Sequence, residues 1–171
     1  RCGTSLSSHE VAQGYKDVID PSIYVKFQIK GEKQRFLMAW TTTPWTLPSN
    51  VALAVNPQET YVEIKCKDET YILAEALLEN VIEEDYEVVG KRTGESLIGI
   101  EYEPLFDFVS VDKKAYYVVG ADFVTLSDGT GIVHIAPAFG EDDAQVGRDN
   151  DLPFVQLVNE QGKFTEDVTP W

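Results

Sequence analysis

The chain reads as an α+β domain that is mostly β and barrel-like, with a few short helices. Short runs of alternating or continuously apolar residues recur along it, each bounded by turn residues. β-Branched and aromatic side chains concentrate in those runs, where a pleated, half-buried surface suits them. Helical spacing is confined to residues 74–82 and 141–150. Many short strands with few helices predict strands wrapped around one core.

Along the chain, residues 22–29 alternate, with Ile23, Val25, Phe27 and Ile29 on one face and Lys26 and Gln28 opposite. Gly31-Glu32-Lys33-Gln34 reads as a turn, after which residues 35–41 return as a second strand. Residues 51–55 form an apolar strand closed by Asn56-Pro57. Residues 61–67 and 69–73 make a hairpin around Lys67-Asp68. Ala74, Leu77, Leu78 and Val81 then share a helical stripe that ends in the charged run Glu83-Glu84-Asp85. Residues 86–89, 115–119 and 131–135 read as further strands, and 154–158 as a strand closing the sheet. Residues 141–150 carry acids in the first helical turn, where the helix dipole favours them.

At 171 residues the chain is one domain, large enough to bury a proper core. Residues 1–20, polar and without periodicity, read as a connecting arm, leaving 21–171 as the domain. A start on Arg1 and an end on Trp171 suggest a piece of a longer protein. No apolar run approaches the ~20 residues of a membrane span, so no membrane partner is expected. Acids outnumber bases 29 to 14, for a net charge of -15. That balance argues against broad nucleic-acid binding, which draws its affinity from Lys and Arg on phosphates. A nucleic-acid substrate could present only a single-stranded end. Cys2 and Cys66 are too few for a disulfide framework, and a reducing, cytoplasmic location is expected. Cys2, in Arg1-Cys2-Gly3-Thr4, could be half of a zinc knuckle whose partners lie outside the sequence; with two histidines in all, no metal site is assigned.

The word Trp40-Thr41-Thr42-Thr43-Pro44-Trp45-Thr46-Leu47-Pro48-Ser49-Asn50 carries the chemistry. Three adjacent hydroxyls between tryptophans suit a pocket that orients a water or a sugar. They fill a core badly, since each buried hydroxyl without a partner costs about 1–3 kcal/mol. A bare threonine run would read as an ordinary strand face; Trp40, Pro44, Trp45 and Asn50 tip it towards a pocket. A second word, Gly129-Thr130-Gly131-Ile132-Val133-His134-Ile135-Ala136-Pro137, runs on to Ala138-Phe139-Gly140-Glu141-Asp142-Asp143. Its glycines lack the phosphate-binding patterns and read as a tight turn into a strand. His134 points opposite Val133 and Ile135, and alone is a structural histidine. Asp143 alone is a dipole-stabilising carboxylate; its sharper reading is a partner for a substrate ammonium. No Gly-x-Ser-x-Gly elbow supports a serine triad.

These two words, with Gly3-Thr4-Ser5-Leu6-Ser7-Ser8-His9-Glu10-Val11 and Gly14-Tyr15-Lys16, resemble isoleucyl-tRNA synthetases across nearly the whole chain. Residues 60–120 match only loosely. Valyl and leucyl relatives usually carry an arginine before the proline, where this chain has Thr43. The resemblance implies the editing domain that such enzymes insert in their Rossmann catalytic domain. It implies hydrolysis of valine wrongly attached to isoleucine tRNA, and of valyl-adenylate, with isoleucine excluded by size. The family's activating motifs, His-x-Gly-His and Lys-Met-Ser-Lys-Ser, do not occur here, so ligation is not expected of this piece.

By the same resemblance, Thr42, Thr43 and Asn50 position the terminal ribose, the ester and the attacking water. His134 and the nearby threonines, Thr41 among them as a substrate-binding residue, wall off isoleucine's extra methyl, Asp143 pairs with the α-ammonium, and Trp40 and Phe139 abut the terminal adenosine. No cofactor or metal is implied for this domain; the parent enzyme is implied to use ATP, and zinc in the parent is left open. The implied partners are the 3′ end of tRNA(Ile) carrying valine, valyl-adenylate and the rest of the synthetase chain. Two other readings stay open: a non-catalytic tRNA 3′-end docking module, and an editing domain of a valyl or leucyl relative.

Overall fold

A computed structural model of the chain describes residues 7–14, 19 and 21–168. Cys2, the first half of the Gly3–Val11 word and most of the expected arm lie outside the described residues. Within that arm, Ser8–Ala12 form a short helix, α1. Glu10 reaches back to the Ser7 amide and hydroxyl, each at 2.8 Å, in a reciprocal cap of a helix start.

The expected strand-rich α+β architecture is present, as two sheets. Strands β1 (Ile23–Gln28), β2 (Arg35–Thr41), β4 (Thr60–Cys66), β5 (Glu69–Ala74) and β6 (Glu87–Thr93) form the larger sheet, in the order β1-β2-β5-β4-β6. Strands β3 (Ala52–Val55), β7 (Tyr117–Gly120) and β8 (Ile132–Ile135) form the smaller, in the order β7-β3-β8. Among the described residues the ladders do not join into one closed ring; the barrel-like character lies in the shared core. Phe27, Leu37, Leu53, Tyr61, Ile72 and Ile132 meet there without solvent contact.

β3 explains its own composition. Leu53 and Val55 enter the main core, while Ala52 and Ala54 join a second cluster with Ile135 and Val146. A strand buried on both faces reads as an unbroken apolar run, and residues 51–55 are one. β3 pairs parallel to β7 and antiparallel to β8, which sets Leu53 opposite His134. His134 therefore shares a face with Ile132 and turns away from Ile135.

Residues 44–49 are a six-residue 3-10 turn with Pro44 in its first turn. Two expected elements differ. Residues 74–82 are broken: the ladder claims Ala74, which pairs with Tyr61 and donates to the Thr130 carbonyl at 2.8 Å. A 3-10 turn over Glu75–Leu77 and a one-turn helix α2 (Leu78–Val81) follow, burying Leu77 and Leu78. Residues 154–158 join neither sheet, and only Val158 makes an isolated bridge, to Phe164. The expected helix over 141–150 is α3, Glu141–Asp149. Among the described residues no helix is long and apolar enough to cross a membrane.

Candidate functional site

β2 ends on Thr41, and the chain turns at once into the 3-10 segment. The Thr43 amide donates to Thr41 Oγ1 at 3.0 Å, a local hydroxyl turn that ends the strand and exposes Thr42. Across from it, β8 delivers His134, and the chain from Ala136 curls through Phe139 and Gly140 into α3, whose third residue is Asp143. Between these two walls lies a recess of about 330 Å³.

Seven of the eight residues singled out in the sequence line this recess: Trp40, Thr41, Thr42, Thr43, His134, Phe139 and Asp143. The lining thus combines threonine hydroxyls, a carboxylate and aromatic rings. Asn50 is the exception. It does not line the recess; its Oδ1 accepts the Tyr102 hydroxyl at 2.6 Å and its Nδ2 donates to the Ala52 carbonyl at 2.8 Å. Both ends of this buried amide are engaged in holding β3 against Tyr102. The reason lies in the turn: Asn50 follows the 3-10 segment with extended backbone, which carries it past the recess into the core.

The recess is also lined by Val133 and Ala136, by Trp45, which the sequence marked only as a flanking ring, and by Thr46, which sequence reasoning passed over. Trp45 stands half-exposed at the rim. Thr46 is buried; its hydroxyl donates to the Thr43 carbonyl at 2.8 Å and lies 2.9 Å from His134 Nε2. No local signal marks Thr46, because its partner is 88 residues away in sequence.

Two glycines shape the walls. Gly129 has φ +75, and a Cβ there would stand 2.9 Å from the Trp40 ring; the glycine lets Trp40 approach the turn closely. At Gly140 a Cβ would stand 2.4 Å from Asp143 Oδ2, so the glycine leaves the carboxylate its place.

Burial pushes the His134 pKa down to about 4, so the imidazole is neutral at physiological pH. Burial raises the Asp143 pKa, opposed by hydrogen bonds from the Ala136 amide and its own amide. No lysine or arginine lines the recess, and Asp143 has no ion-pair partner among the described residues. A half-buried carboxylate without a counter-charge suits a small cationic group, and the threonine wall suits an ester, a ribose or a water. Among the described residues no group of three or more His, Cys, Asp or Glu is arranged to hold a metal ion.

No family model matches the chain. Over all 171 residues it is 63% identical to the isoleucine–tRNA ligase of Clostridium acetobutylicum and 60% identical to that of Clostridium novyi. It is 51% identical over 171 residues to that of Picrophilus torridus. The chain spans 16% of the length of each of these relatives. Among solved structures it is similar to GlLeuRS-CP1, with a TM-score of 0.65 and 18% identity over 75% of this chain and 60% of that one. It is also similar to the editing domain of the P. knowlesi cytosolic leucyl-tRNA synthetase, at TM-score 0.61 and 17% identity over 81% of this chain and 66% of that one. At these identities the likeness is one of fold.

Proposed function

The chain is homologous along its whole length to one segment of the isoleucine–tRNA ligases, and from that premise we propose that it is their hydrolytic editing domain. In this reading it deacylates valyl-tRNA(Ile), and hydrolyses valyl-adenylate, which presents the same aminoacyl-ribose end. One observation carries the reading: the Asp143 carboxylate and the threonine hydroxyls face one recess that no lysine or arginine lines.

The physical need is plain. One methylene changes binding by only ~1–3 kcal/mol, and isoleucine against valine is the familiar illustration of that limit. A second, smaller pocket reverses the problem, because it rejects the larger side chain by overlap. Here Asp143 takes the α-ammonium. The neutral His134 ring and Thr41 form the wall that valine clears and isoleucine does not. Thr42 and Thr43 hold the ester and the attacking water, so hydrolysis draws on orientation rather than on a covalent intermediate. Trp40 and Phe139 abut the terminal adenosine. Asn50 is assigned to the support of the wall and not to the water.

The test uses the full-length ligase that contains this segment. With Asp143→Ala, valyl-tRNA(Ile) should accumulate; unchanged deacylation overturns the reading. With His134→Ala, isoleucyl-tRNA(Ile) should become a substrate, and its continued protection would remove His134 from the size filter. A valine-bearing adenosine analogue lodged outside the recess would favour a docking module instead.

A further inference from the structure

Thr46 holds a junction of hydrogen bonds that the proposed hydrolysis does not use. The Thr43 carbonyl can only accept, so at 2.8 Å the single hydroxyl proton of Thr46 points to it. Thr46 Oγ1 then has only lone pairs to offer His134 Nε2 at 2.9 Å, so the ring nitrogen must carry the proton of that bond. The longer contacts, Thr43 Oγ1 to Thr46 Oγ1 at 3.4 Å and to Thr41 Oγ1 at 3.3 Å, lie beyond the ordinary hydroxyl range. They leave the outer hydroxyls free to turn to a ligand, while the inner pair is closed within the protein.

We infer that Thr46 is a positioning residue: clamped on the Thr43 carbonyl, it fixes His134 as the neutral Nε2–H tautomer and so holds the ring wall of the recess in one orientation. His134 is 7% exposed and its Nδ1 has no protein partner, so no other described contact sets the tautomer. With Nε2–H donating, the imidazole cannot take a proton from Thr46. The Thr46–His134 pair is thus a fixed wall, not a nucleophile with its base. The role in selectivity rests on the editing reading above; the tautomer does not.

The chain contains two histidines, His9 and His134, so ¹⁵N-histidine labelling gives two rings, assigned with His9→Gln. The His134 ring should show a protonated Nε2 and a proton-free Nδ1, unchanged between pH 6 and pH 8. Thr46→Val, which keeps the shape and removes the hydroxyl, should lose this pattern to a tautomer mixture, and Thr46→Ser should restore it. If the valine variant does not fold, Thr46→Ala is read in the same way. A wild-type ring protonated at Nδ1 overturns the proposal at once, whatever the variants do. So does an Nε2–H pattern that survives removal of the hydroxyl. The spectrum needs no substrate, so its failure leaves the editing reading standing, and a failure to hydrolyse valyl-tRNA(Ile) leaves the Thr46 assignment standing.

Discussion

One oxygen of Asp143 is committed inside the fold: Oδ1 accepts the Ala136 backbone N–H at 2.8 Å, tying the first turn of α3 to the end of β8. The carboxylate therefore has a structural contact and, in the proposed function, an electrostatic one. Asp143→Asn separates them, since an amide oxygen still receives Ala136 while the charge is gone. A hydrogen bond to a charged group contributes about 1.5–3 kcal/mol. Deacylation of valyl-tRNA(Ile) should fall about 10- to 100-fold, with little change in thermal unfolding. Equal losses in activity and stability would assign Asp143 to the fold alone.

The carboxylate's place depends on its neighbour. Gly140→Ala sets a Cβ 2.4 Å from Oδ2 and 3.2 Å from Cγ of Asp143, so the side chain must swing aside. The backbone at Gly140, with φ -150 and ψ 149, is one that alanine adopts freely. Activity should therefore drop towards that of Asp143→Ala, with a much smaller effect on unfolding. Paired rate and melting measurements check this, and wild-type activity would show that the carboxylate tolerates displacement.

How much of this was legible in the sequence follows the range of each interaction. Alternation placed β1, the turn at 31–34 placed β2 as the returning strand, and the unbroken run at 51–55 placed β3, because strand periodicity, turn residues and apolar runs are local properties. Residues 74–82 misled, since helical spacing at Leu77, Leu78 and Val81 competes with the ladder partner of Ala74, which only tertiary structure supplies. Trp40 to Thr43 suggested a pocket through residue type, whereas His134 and Asp143 read as structural by themselves and took a site role only from the family resemblance. That Thr46 belongs to the His134 wall, and that Asn50 turns into the core, depend on partners 88 and 52 residues away. No local pattern encodes either.

Asn50 offers a test of that distinction. Tyr102 is 2% exposed, and burial pushes its pKa well above 10, so its hydroxyl stays protonated and needs an acceptor. Asn50→Leu removes it and should cost about 1–3 kcal/mol in unfolding free energy. Tyr102→Phe removes the orphaned donor, so the double variant should be less destabilised than the sum of the two singles. A denaturant-unfolding cycle measures this coupling. Additive effects would mean that the 2.6 Å bond contributes no stability.

His134 makes stability depend on pH in a defined direction. An ordinary histidine binds its proton near pH 6.5, but burial holds this one to about 4. Between those values the unfolded chain binds the proton and the folded chain does not, so acid favours unfolding. The contribution is fully present above pH 6.5 and is lost as the pH falls to about 4, amounting to about 3 kcal/mol. Asp143 acts with the opposite sign: its raised pKa adds stability below the ordinary carboxyl range, lost as the pH rises through the folded value. The histidine's share is isolated by comparison with His134→Gln, which keeps a neutral donor for Thr46 and does not titrate. Wild type should lose stability relative to that variant between pH 6.5 and pH 4, and the two unfolding curves should run parallel from pH 7 to pH 8. Parallel curves throughout would mean that His134 takes up its proton in the folded state as readily as in the unfolded one.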